Sequence, residues 1–70
     1  SLLKTAYVNY ETLKNKELSS QVAQFLAEVY DSRNEKQKSI AWYQQAKNGY
    51  QQLNDKKRME WVEKQLNRLK

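Results

Sequence analysis

The chain contains no cysteine, no histidine and no proline, and its only glycine is Gly49. Without cysteine there is no disulfide framework, no thiolate nucleophile and no zinc thiolate ligand. Without histidine the usual general base and the commonest transition-metal ligand are also missing. A single glycine leaves no glycine-rich loop to hold a phosphate. These absences predict a protein that is not an enzyme, with no catalytic residues, no cofactor and no metal.

Long apolar runs are also missing. No run approaches the roughly 20 residues that a membrane-spanning helix needs, and the start of the chain lacks the apolar core of a signal peptide. We therefore expect no membrane partner and favour a cytoplasmic location, with which the absence of cysteine is compatible. Because the chain starts at Ser1 rather than Met, we expect it to be a piece of a longer protein.

Positive charge is concentrated at one end of the chain. The formal net charge is +5, yet residues 1–55 hold seven basic and six acidic side chains. Residues 56–70 hold six basic side chains against Glu60 and Glu63, which gives +4 within fifteen residues. Most charged stretches are solvated surface, but this one could attract an acidic peptide or a phosphate backbone.

Apolar residues recur at spacings of three and four in four segments, which predicts four amphipathic helices. Their stripes are Leu3, Ala6, Tyr10 and Leu13; Leu18, Val22, Phe25, Leu26, Val29 and Tyr30; Ile40, Tyr43, Ala46, Tyr50 and Leu53; and Met59, Val62, Leu66 and Leu69. The breaks between them are short and polar, so neighbouring helices should run antiparallel. The expected N-terminal caps are Ser19 or Ser20 for the second helix, Asn34 with Gln37 for the third, and Asp55 for the fourth.

The chain also matches itself when it is shifted by 40 residues. Six of thirty aligned positions are identical, and five of these lie in the predicted stripes. The identical pairs are Ala6 and Ala46, Tyr10 and Tyr50, Leu13 and Leu53, Lys16 and Lys56, Val22 and Val62, and Leu26 and Leu66. Because the match keeps one register through two helices, it indicates an internal helical repeat.

Two clusters resemble the tetratricopeptide repeat (TPR). Leu26, Ala27 and Tyr30 follow the family's order of large, small and aromatic residues in a first helix, and Ser39, Tyr43 and Ala46 follow its second-helix pattern. The chain departs from the pattern at Ala23, where a bulky residue is usual, and at Asn34, where glycine is usual. The terminal proline is missing, and the period is 40 rather than 34. A three-helix module of the trafficking-adaptor type is a weaker match.

The resemblance implies an all-α fold of antiparallel helical hairpins, a TPR-like α-solenoid fragment of about four helices. Residues 1–70 would form a single domain with one complete hairpin at about residues 18–53. The small residues Ala27, Ser39, Ala46 and Gly49 should allow two helices to approach closely. Uncovered end helices could then support self-association.

In such a repeat, the first helix of each unit lines a concave groove. The resemblance therefore places Gln21, Gln24, Glu28 and Asp31 in the groove from the second helix, and Trp61, Lys64 and Arg68 from the fourth. Of these, the candidate partner-binding residues are Gln24, Glu28, Trp61, Lys64 and Arg68. Trp61 has an alternative interpretation, in which it covers the terminal helix. The family's clamp for a terminal carboxylate is not expected, because Glu28 would repel that group.

Three functions are consistent with this sequence. The first is a protein-protein interaction scaffold that binds a protein or peptide partner, which could be acidic, through the helical-repeat groove. The second is a small basic helical module that binds nucleic acid, suggested by the charge of residues 56–70 and by Trp61. The third is a structural unit for packing or oligomerisation.

Overall fold

A computed structural model describes residues 2–70 of the chain, and its regular secondary structure is helical. The helices are α1 (Leu2–Thr12), α2 (Lys16–Ser32), α3 (Lys36–Gln52) and α4 (Lys56–Leu69). The predicted all-α class with about four helices is therefore confirmed. Over the described residues, no helix is both long enough and apolar enough to cross a bilayer.

The three connections between the helices have the same backbone structure. Each contains one residue with positive φ, namely Lys14 at 58°, Asn34 at 61° and Asn54 at 57°. The next residue donates its N–H to a tyrosine carbonyl oxygen five positions back, on Tyr10, Tyr30 and Tyr50 respectively. This is the Schellman arrangement, which satisfies the free carbonyls at a helix end. Because the turns recur every 20 residues, a pair of helices recurs every 40.

Two of the helices begin with a side-chain cap. Asp55 accepts a hydrogen bond from the N–H of Arg58 at the start of α4, so the predicted cap is confirmed. At the start of α2 the cap is Asn15, which accepts from the N–H of Leu18. The same residue therefore closes one helix and opens the next, which keeps each connection short.

Two predicted caps were wrong. Ser19 and Ser20 lie inside α2 and are buried, because the N-cap of the helix is Asn15, about one turn before Ser19. Asn34 does not cap α3 with Gln37, because its positive φ places it in the turn itself. The N-cap of α3 is Glu35, which makes no capping hydrogen bond with its side chain.

The contact between α2 and α3 is the tightest in the fold. Ala27, Ala46 and Tyr50 are fully buried there, and the hydroxyl of Ser39 donates to the carbonyl oxygen of Ala27 at 2.8 Å. A methyl group added at Gly49 would lie 1.7 Å from a side-chain oxygen of α2. The predicted role of small residues in close helix packing is thus confirmed.

The four helices form a staggered array with two distinct faces. Consecutive helices run antiparallel, and α1 also touches α3 through the rings of Tyr7 and Trp42, whose centroids are 5.0 Å apart. Similarly, α2 touches α4 through an ion pair between Asp31 and Arg68. We call these the α1/α3 face and the α2/α4 face. The Cα atoms span 31 × 29 × 12 Å, so the molecule is a slab.

The core follows the predicted stripes only in part. The buried stripe members all belong to α2, α3 and α4, since α1 has no buried residue. The predicted stripe members that are instead exposed are Leu13, Leu18, Phe25, Val29 and Leu53. On α2 the reason is that the helix contacts α1 on one side and α3 on another. Ala23 and Ala27 therefore enter the core, while Phe25 lies on the α2/α4 face.

Candidate protein-binding groove

The α2/α4 face contains a depression between α2 and α4, with side chains of α3 at its floor. Near the start of α4 it has a volume of about 220 Å³ and is lined by Gln21, Gln24, Phe25, Tyr50 and Arg58. The exposed fraction of Phe25 is 52%, which is high for a phenylalanine. We call this depression, together with the neighbouring part of the α2/α4 face that carries Trp61 and the Asp31–Arg68 ion pair, the α2/α4 groove.

Gln24 is held in place by hydrogen bonds on both sides. Its Oε1 accepts a 2.7 Å hydrogen bond from the hydroxyl of Tyr50, and its Nε2 donates to Glu28 at 3.5 Å. Arg58 lies 5.7 Å from the centroid of the Tyr50 ring. Burial raises the pKa of Tyr50, with Arg58 opposing the shift, so the phenol stays protonated at neutral pH. These contacts join three helices at one end of the groove.

At the other end of the groove, charged side chains connect α2 and α4. Arg68 of α4 forms an ion pair with Asp31 of α2, and its Nε donates to Oε1 of Gln65 at 3.0 Å. Beneath them lies Tyr43, whose pKa is raised mainly by burial and further by the carboxylates of Glu28 and Asp31. The two walls of the groove therefore carry side chains of opposite charge, since α2 contributes carboxylates and α4 contributes cations.

Trp61 lies between these two ends. Its ring meets that of Tyr43 edge-on, with centroids 6.2 Å apart and planes at 64°. The exposed fraction of Trp61 is 39%, so it rests on the core yet keeps a large surface in solvent. The contact with Tyr43 is compatible with Trp61 as a cover for the terminal helix, and its exposed surface is compatible with Trp61 as a binding residue.

Lys64 lies one turn beyond Trp61 and is exposed. Among the described residues, the basic side chains of α4 that form no ion pair are Lys56, Lys57 and Lys64. The positive charge expected from the sequence is therefore partly uncompensated along α4. Exposed cations of this kind are free to meet an acidic partner.

The structure brings together four of the five candidate residues. Gln24 and Glu28 are hydrogen-bonded, and Trp61 and Arg68 reach the same face from α4, while Lys64 forms no hydrogen bond or ion pair with the other four in the described residues. The sequence interpretation missed Phe25 and Arg58. Phe25 was placed in the core by its helical spacing, and the position of Arg58 over Tyr50 depends on the α3–α4 turn.

No protein-family model matches the chain, and no curated protein or solved structure matches it either. The chemistry of the α2/α4 groove is thus the basis for inferring a function. Exposed rings supply apolar contact area, and amide and charged groups supply hydrogen bonds.

Proposed function

We propose that the chain is a TPR-like scaffold that binds a peptide or partner protein in the α2/α4 groove. The observation that carries the proposal is a pair of large aromatic side chains on one face, Phe25 from α2 and Trp61 from α4, each well exposed. Exposing such rings costs hydration free energy, which a partner would recover on binding. Aromatic anchors of this kind account for much of the affinity at protein interfaces.

The rigid surroundings of the two rings also support this function. Trp61 rests on Tyr43, and Phe25 adjoins Gln24, which is fixed by Tyr50. Side chains that are already ordered lose little conformational entropy when a partner binds. Since the walls carry opposite charge, a bound segment would also be oriented, with its acidic groups toward α4.

The test compares three immobilised forms of the full chain in a lysate treated with nuclease. They are the wild type, the double variant Phe25→Ala with Trp61→Ala, and a control, Val8→Ala, which removes an exposed apolar side chain of α1 outside the groove. We expect a protein that the wild type and the control retain and that binds the double variant at least about tenfold more weakly. Circular dichroism would check that all three forms are equally folded.

Loss of the same protein in the Val8→Ala control would contradict a groove-specific interaction. So would the absence of any protein that distinguishes the double variant. Affinity of the purified partner, measured by calorimetry at two salt concentrations, would then show how much of the binding depends on charge.

A second candidate function is nucleic-acid binding, favoured by the unpaired lysines of α4. The same experiment distinguishes it when the nuclease is omitted. Nucleic acid that is recovered at low salt, lost at moderate salt and reduced by Lys57→Ala with Lys64→Ala would favour this alternative over the scaffold.

A further inference from the structure

The α1/α3 face carries a cleft of its own, on the other side of the slab from the α2/α4 groove. One part is apolar, has a volume of about 330 Å³, and is lined by Tyr7, Ala41, Trp42 and Gln45. A second part, of about 230 Å³, adjoins it through Tyr7 and Gln45. The Tyr7 hydroxyl donates to Oε1 of Gln45 at 3.4 Å where the two parts meet, so the cleft has an apolar end and a polar end on either side of this hydrogen bond.

The apolar end is formed by two rings and a small residue. Tyr7 and Trp42 meet edge-on, with planes at 81°, so ring surface is left facing the cleft. Ala41 is exposed and short, which leaves open space in front of Trp42. A flat apolar group could therefore pack here in an offset or edge-on arrangement with the rings.

The polar end contains an ordered pair of opposite charges. The carboxylate of Glu11 accepts hydrogen bonds from Nζ of Lys16 at 3.0 and 3.2 Å, and from the hydroxyl of Ser19 at 2.7 Å. The hydrogen bond from Ser19 is the main reason why the pKa of Glu11 is lowered. Since one negative and one positive group stand side by side, the site carries no net charge.

A buried hydroxyl adds a further polar group at this end. Ser20 lines the cleft with an exposed fraction of 2%, and its Oγ has no hydrogen-bond partner within residues 2–70. Its Oγ is covered from solvent and packs against Gly49, where an added methyl group would lie 1.7 Å from it. A buried oxygen without a partner is costly, and such exceptions in folded proteins call for an explanation such as a ligand or water.

We propose that this cleft binds a free aromatic α-amino acid, with the ring on Tyr7 and Trp42 and the charged head at Glu11 and Lys16. A zwitterionic head matches the pair because its ammonium can meet the carboxylate while its carboxylate meets Nζ. A purely cationic or anionic molecule would meet one favourable and one unfavourable charge. The apolar part, at about 330 Å³, is within the range of small-molecule sites, and the polar part adds about 230 Å³. This proposal does not depend on the scaffold function.

The two tryptophans make the cleft and the groove separately observable. Trp42 lies in the cleft, and Trp61 lies on the α2/α4 face. We would titrate the ¹⁵N-labelled full chain with L-phenylalanine and follow the two indole N–H signals by NMR. The expected result is a saturable shift of the Trp42 signal with little change at Trp61. No saturable shift at Trp42, or equal shifts at both indoles, would overturn the proposal.

Two ligand analogues test the role of the charged head. Phenethylamine lacks the carboxylate and 3-phenylpropionate lacks the ammonium, so each should bind roughly three- to tenfold more weakly than L-phenylalanine. Equal binding of all three would show that the ring alone is recognised, and the assignment of the head to Glu11 and Lys16 would be wrong.

A cavity-filling variant tests the location. Ala41→Leu places a larger side chain at the apolar end, and it should weaken binding at least about tenfold while leaving the helix intact. Gln44→Leu is the matched control, because residue 44 is an exposed position of α3 outside the cleft. Unchanged binding by Ala41→Leu, or equal loss in both variants, would contradict this site.

Discussion

The contact of α2 with α3 differs in kind from the contact of α2 with α1. At the first, small residues bring two backbones together, and Ala46 and Tyr50 are fully buried. At the second, no residue of α1 is fully buried, and a partly exposed network around Glu11 provides much of the polar contact. Apolar sequence alone therefore does not determine how firmly a helix is held. The size of the residue opposite it matters as much.

Gly49→Ala should produce the largest change, because it acts on the tight contact. The new methyl group would lie 1.7 Å from Oγ and 2.8 Å from Cβ of Ser20. Alanine favours helix by about 1 kcal/mol over glycine. We nevertheless expect a net loss of about 2 kcal/mol in the free energy of unfolding, because the helices must separate. Urea denaturation followed by circular dichroism would measure it.

Combining Gly49→Ala with Ser20→Gly provides the control for that clash. Removing the serine side chain gives the methyl group room, so the double variant should recover much of the lost stability. If Gly49→Ala alone were as stable as the wild type, then α2 and α3 would be farther apart than the structure shows.

Two tyrosines at equivalent turn positions compare the two contacts directly. Tyr50 donates a hydrogen bond to Gln24 from a fully buried position, whereas Tyr10 is half-buried and its hydroxyl makes no side-chain hydrogen bond in the described residues. We expect Tyr50→Phe to lower the free energy of unfolding by about 1 kcal/mol. Tyr10→Phe should change it by less than about 0.5 kcal/mol. If both variants lowered the free energy of unfolding equally in the same urea experiment, the contact of α2 with α3 would not differ from the contact of α2 with α1.

The smallest expected effect is the pH dependence of stability that arises at the contact of α1 with α2. The pKa of Glu11 lies below its ordinary value of 4.5 because Ser19 and Lys16 donate hydrogen bonds to its carboxylate. Its contribution is therefore fully present above pH 4.5 and is lost as the pH falls through the folded-state pKa. Because the pair is about one-third exposed, we expect only about 0.5 kcal/mol.

Urea midpoints of the wild type and Glu11→Gln, measured between pH 3 and pH 7, would detect the contribution of the Glu11 carboxylate. The variant should lose less stability than the wild type when the pH is lowered. Glu60→Gln is the control, because Glu60 is exposed and forms no ion pair in the described residues. A pH profile of Glu11→Gln identical to that of the wild type would contradict a stabilising role for the network.

The helices were predictable because their apolar spacing and short polar breaks leave few alternatives, and because Asp55 is a strong cap in a clear break. The other caps were not predictable in the same way. Asn15 and Glu35 each follow a residue in the left-handed conformation, and nothing in the spacing shows that one residue ends a helix and begins the next. Phe25 was misplaced because the arc of α2 that faces α1 and α3 includes Ala23 and Ala27 and leaves Phe25 outside it.

The candidate groove was predictable at the level of the face and not at the level of its contacts. The 40-residue register predicted Gln24, Glu28 and Trp61 on one side, and in the structure Gln24 donates to Glu28 while Trp61 packs on Tyr43. It could not show that Tyr50 fixes Gln24 or that Arg58 lies over the same ring, since these depend on how closely three helices approach. The α1/α3 cleft was missed because it joins side chains that share no motif.

Because the turns are alike, the effect of lengthening the chain depends on whether an odd or an even number of helices is added. Each turn reverses the chain and moves the next helix to the opposite face, so the face of a helix depends on whether its number is odd or even. Duplication of 20 residues would preserve every turn and cap position but would transfer α4 and its cations to the α1/α3 face. Duplication of 40 residues would instead lengthen both faces, and each face would keep its own types of side chain. A protein built from this unit can therefore grow without losing its surfaces only by adding helices in pairs.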